Sequence, residues 1–177
     1  MTQGSPVPTL TVTYTGVVNN QDLEDVVSGS PALSTTATAS SPPGNYPIAV
    51  SQGALASSLY TFSFVPGVLS VLAPPTVQLS VSATLTKQAN AYQASITVTN
   101  NGNLDAANVV LTAATLGAAG GAPLPQTLST VKAGGSAAAT VSFPLSAGAD
   151  GASVAAKYGG TYTGGTFSQS FRGVVLP

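Results

Sequence analysis

Apolar side chains return at every second position along most of this chain, the spacing of a strand with one wet face rather than of a helix. Leu10, Val12 and Tyr14 alternate with Thr9, Thr11, Thr13 and Thr15. Val77, Leu79, Val81, Ala83 and Leu85 alternate with Gln and Ser or Thr, and Tyr92, Ala94, Ile96 and Val98 repeat the pattern. Shorter stretches of the same kind fall at residues 46–50, 60–64, 68–72, 109–111, 140–145, 154–158 and 167–171. Turn formers punctuate them, among them Pro43-Gly44, Pro66-Gly67, Asn101-Gly102, Gly134-Gly135 and Gly164-Gly165. Many short strands at turn spacing predict an all-β chain of antiparallel sandwiches. The one helix signal is residues 21–27, a single turn with acids in its first half.

A boundary is expected at Ala73-Pro74-Pro75-Thr76, because two adjacent prolines cannot continue a ladder and hold the chain extended. That gives two tandem domains, residues 1–73 and 74–177. The first is rich in Pro and Tyr, the second in Ala and Gly, with residues 117–122 reading as a small-residue loop.

The outward faces carry Thr, Ser and Gln, so only 5% of residues are charged and the net charge is −1, against about 25% charged in an average soluble domain. Clustered Lys and Arg are absent, which argues against nucleic acid and anionic membranes as partners. No run approaches the roughly 20 apolar residues of a membrane span, so no membrane insertion is expected, and the first ten residues lack the pattern of a signal peptide. With no His and no Cys, the usual general base, the thiol nucleophile and the commonest transition-metal ligands are missing together. A non-enzymatic chain with no cofactor and no catalytic residues is expected.

Residues 1–73 resemble the MBG family, mostly-β, glycine-rich repeats of long bacterial secreted proteins. The resemblance is carried by Pro8-Thr9-Leu10-Thr11, Tyr14-Thr15-Gly16, Leu23-Glu24-Asp25-Val26 with Ser28-Gly29, and residues 31–37. It continues through Pro43-Gly44-Asn45-Tyr46-Pro47-Ile48 and closes on residues 60–71. The family's opening strand, which normally precedes a Tyr-Gly near Gln3-Gly4, is missing here, so the first domain is expected to be incomplete. Residues 74–177 are similar to immunoglobulin-like repeats of bacterial envelope proteins of the CARDB and DUF11 kind, through residues 96–103 followed by Ala106-Ala107-Asn108-Val109-Val110-Leu111, which read as strand, Asn-Gly turn, strand. Both resemblances imply extracellular or cell-surface work as a stalk or adhesive segment, with neighbouring domains or copies of the chain as partners.

Four constellations are candidates for more. Asp22, Glu24 and Asp25, beside Asn19 and Asn20, offer oxygen ligands to calcium, although the plainer reading is acids capping a helical turn at its positive end. Tyr158, Tyr162 and Phe167 flank a Gly-rich loop and form a candidate platform for surface glycans, the alternative function being a ligand-binding module; the plainer reading puts Tyr158 and Phe167 in the core. Ser129-Thr130-Val131-Lys132 matches the Ser-x-x-Lys pattern of penicillin-recognising enzymes without its companion motifs. Leu124-Pro125-Gln126-Thr127-Leu128 resembles a sortase signal with Leu in place of Gly and reads as a proline-bent loop. Finally, Phe171, Val174, Val175 and Leu176 near the C terminus are expected to serve assembly, as a strand donated to the open sheet edge of another copy.

Overall fold

The computed structural model describes residues 1–18 and 21–177. The chain divides into Met1–Pro74 and Pro75–Pro177. Strands hold 51% of the chain and helix 4%, so the fold is all-β, with antiparallel sheets and one short helical turn.

The first unit is built on a three-stranded sheet in the order β1 (Ala32–Thr35), β2 (Gly44–Ser51), β3 (Gly67–Val71). The β1 ladder stops at Thr35 opposite Ile48, one residue before Pro47, which has no N–H to continue it. Leu69, Val71 and Ala37 are buried and pack with Met1, Val7, Tyr46 and Ile48. The outer edge of β3 is partly filled: Thr2 bridges Leu72 in parallel, with Gln3 N donating to Leu72 O at 2.8 Å and the N-terminal ammonium of Met1 donating to Ser70 O at 2.7 Å. Helix α1 is one turn, Leu23–Val26. Residues 10–14 and 60–64, read as strands from their alternation, belong to no sheet.

The second unit is a sandwich of two antiparallel sheets. One has the order β4 (Leu79–Lys87), β5 (Ala91–Asn100), β9 (Ser136–Pro144). The other runs β11 (Gly165–Val175), β10 (Ser153–Tyr162), β6 (Ala106–Leu116), and the far edge of β6 pairs with both β7 (Ala119–Gly120) and β8 (Gln126–Val131). Tyr92, Ala94, Ile96 and Val98 of β5 and Val141 and Phe143 of β9 meet Val109, Leu111, Leu116, Ala156 and Tyr158 from the facing sheet in one buried core. Burial of such side chains contributes roughly 1.5–3 kcal/mol each.

The Asn101-Gly102 turn is not a hairpin, in contrast to the strand–turn–strand reading. β5 and β6 lie in different sheets, so the chain arches across the end of the sandwich there. Asn100 holds the arch. It is fully buried, and its Oδ1 accepts from Gly102 N at 3.0 Å and Gln78 N at 3.3 Å, while Nδ2 donates to Leu104 O at 2.8 Å and Val131 O at 3.2 Å. Its main chain is bonded to Gly134 and Gly135. Every polar atom of this side chain is engaged, which is what allows an amide to be buried at little cost.

The chain comes into this unit at the Asn100 end, where Thr76 N donates to Asn103 Oδ1 at 2.6 Å. It leaves at the opposite end, where Leu176 is buried, accepts from Gly151 N at 2.9 Å and lies near the Lys87–Asp150 ion pair.

Candidate functional site

The acids of α1 stand on an exposed turn. Asp22 is the N-cap but makes no side-chain cap hydrogen bond, and Glu24 and Asp25 occupy the first turn. Among the described residues no three metal-ligating side chains gather; Asn19 and Asn20 lie outside the described residues. The calcium reading of Asp22, Glu24 and Asp25 therefore finds no assembled ligand set.

The aromatic platform is corrected. Tyr158 and Phe167 are 1% and 7% exposed and belong to the sandwich core, because residues 158 and 167 fall on the inward face of the β10–β11 ladder. No sugar face reaches them from solvent. Tyr162 is half-buried, packed against that core over Gly165, where a Cβ would lie 2.6 Å from the Tyr162 hydroxyl. Burial pushes the Tyr158 phenol up.

The C-terminal donor strand is corrected for the same reason. Phe171, Val174 and Val175 lie in β11, already registered against β10, with Phe171 opposite Ala156 and Val174 opposite Val154. Leu176 is 1% exposed and part of the core. A strand in use in its own sheet is not free for donation.

Both acids of the sandwich pair with a lysine. Lys132 Nζ donates to Asp105 Oδ2 at 2.7 Å, and Ala133 N to Asp105 Oδ1 at 2.9 Å. The Lys132 hydrogen bond, then the Ala133 amide, hold Asp105 below the usual carboxylate range, and Lys132 is raised in return. At the other end Lys87 pairs with Asp150, which also accepts from the Tyr92 hydroxyl at 2.9 Å. The Lys87 contact, then that of Tyr92, lower Asp150; burial is the first cause raising Tyr92. Of residues 124–128, Leu124 and Pro125 lie in the loop that leads into β8 and Gln126, Thr127 and Leu128 open the strand, with Gln126 Nε2 donating to Thr140 O at 2.7 Å.

Sequence reasoning missed a groove in the first unit. Its walls are the consecutive residues Val12, Thr13, Tyr14, Thr15 on one side and Thr61, Phe62, Ser63, Phe64, Val65 on the other, its floor Pro31 and the buried Leu55, and its volume about 310 Å³. Consecutive lining residues mean that backbone edges, not one face of side chains, border the space. On the second wall the Phe62 and Phe64 rings, two residues apart, stack at 6.5 Å, as alternate side chains of an extended segment do. The walls are clasped at one end, where the Tyr60 hydroxyl donates to Gln21 Oε1 at 2.6 Å and accepts from Val18 N at 3.3 Å.

Comparison with known families covers this unit. Residues 1–70 match the MBG domain (YGX type). MBG domains are β repeats of surface and secreted proteins, consistent with the three-stranded sheet and the single helical turn. No curated protein and no solved structure matches the chain. Among the described residues no helix is long and apolar enough to cross a membrane.

Proposed function

We propose that the chain is a non-catalytic structural or adhesive segment of a secreted bacterial surface or extracellular fibre protein, its MBG domain followed by an immunoglobulin-like repeat. The observation that carries this reading is the MBG match over residues 1–70, joined to a β-sandwich in tandem. The Thr- and Ser-rich strand faces support it: they keep strands soluble with very few charges and give neighbouring modules or copies little to repel them.

Antibody labelling of intact cells that make the protein tests the placement. Label on the surface or in the medium is expected; label seen only after lysis overturns the reading. Electron microscopy of the purified chain separates isolated particles from ordered fibres and so tests the structural role.

A further inference from the structure

Two extended segments of the MBG domain, residues 9–15 and 61–65, make no main-chain hydrogen bond among the described residues, although both carry the alternation of strands. Residues 12–15 of the first and 61–65 of the second border one groove. At its clasped end residues 14–17 lie against 60–62, and at its open end the wall runs on to Val65 opposite Val12–Thr15, so the walls run in opposite directions.

We propose that this groove is a strand acceptor, and that its occupant is residues 9–15 of a second copy of the chain. Two facing edges of unpaired N–H and C=O groups are matched in spacing and polarity by another extended backbone. The groove walls and floor carry no charged side chain, so the fitting strand is uncharged, with apolar side chains for the Leu55 and Pro31 floor and hydroxyls for solvent. Residues 9–15, Thr-Leu-Thr-Val-Thr-Tyr-Thr, have that composition and are themselves unpaired.

Exchange is then reciprocal. With each copy's 9–15 strand in the other's groove, the order becomes 61–65, partner 9–15, own 9–15, partner 61–65, a four-stranded closed unit related by a two-fold axis. Both grooves are filled by one contact, and a net charge of −1 per chain offers little repulsion. The inference deepens the structural role proposed above by naming a contact between copies; it stands or falls separately from the cell-surface placement.

The test is sedimentation of the full chain from micromolar to millimolar concentration, with amide exchange read in parallel. A dimer is expected to form, slowing exchange at residues 10–15 and 61–65 by about tenfold or more. Excess synthetic peptide of residues 9–16 is expected to compete and return monomer. The double variant Val12→Pro, Thr13→Pro removes adjacent N–H groups that point to opposite edges, so one of them faces the groove; it is expected to stay monomeric with the β signal of the sandwich intact. A chain that remains monomeric with both walls exchanging freely overturns the proposal. So does a dimer that resists the peptide, or a peptide that binds while the chain itself stays monomeric, which would show an acceptor that a second copy does not fill.

Discussion

The Asn100 side chain donates to the main-chain carbonyl of Val131 at 3.2 Å from a fully buried position, tying the end of β5 in one sheet to the end of β8 in the other. With Leu104, Gln78 and Gly102 also bonded to the same amide, one side chain closes the end of the sandwich.

Replacing Asn100 by Ala is therefore expected to cost about 2–4 kcal/mol, because buried carbonyls and amides lose their partner together. Asn100→Asp, which keeps the shape and removes the donor, is expected to be similarly damaging. Urea denaturation of the full chain reads both; a midpoint unchanged in either variant contradicts the role.

At Gly160 a Cβ would sit 2.0 Å from Val110 O and 2.7 Å from the Phe167 ring. The first of these is backbone and cannot swing aside. Gly160→Ala is expected to destabilise the sandwich by more than about 2 kcal/mol, whereas Gly120→Ala, which meets nothing within 4 Å, is expected to be nearly neutral. Thermal melts of the pair decide it.

Asp105 and Asp150 are lowered in the folded state, so their contribution is present above the ordinary carboxylate pKa of about 4 and is lost as pH falls through the depressed values. Lys87 and Lys132 are raised, so theirs is complete below about pH 10 and lost as pH rises beyond it. The melting temperature is expected to be flat between these limits and to fall outside them. Asp105→Asn with Asp150→Asn is expected to lower the plateau slightly and to flatten the acid limb; an acid limb unchanged in that variant would assign it to other groups.

Because Leu176 lies in the core, Leu176→Ala is expected to cost about 2–5 kcal/mol, and deleting residues 173–177 at least as much. Such a deletion acts as a folding defect first, so loss of association in it would not identify a donated strand. Circular dichroism melts beside sedimentation distinguish the two effects.

Much of the fold was legible where the period of two runs unbroken, as in β5, where Tyr92, Ala94, Ile96 and Val98 are all buried. In β6 the alternation was readable only over residues 109–111. The reason is a bulge at Thr112: Leu111 faces Gly160 and Ala113 faces Gly159, so burial passes from odd positions, Val109 and Leu111, to even ones, Ala114 and Leu116. β8 was hidden by Pro123 and Pro125 at its start and by Ser129 in the left-handed region at φ 59°. Asn-Gly reads as a hairpin from sequence because only three dimensions show which sheet each flank joins. Segments 9–15 and 60–64 carry a strand pattern and join no sheet among the described residues, since alternation records what a segment buries when paired and not whether a partner is supplied. The groove between them had no residue signal at all.

The second unit receives the chain at its Asn100 end and releases it at the Leu176 end, through β4 in one sheet and β11 in the other. Tension applied through the two termini would thus run lengthwise along both terminal strands. The nine paired positions of β4 on β5 and the long β10–β11 ladder would be loaded in shear, many hydrogen bonds at once, instead of being peeled apart one after another. A unit wired in this way bears a pull along its long axis, as a link in a tether does.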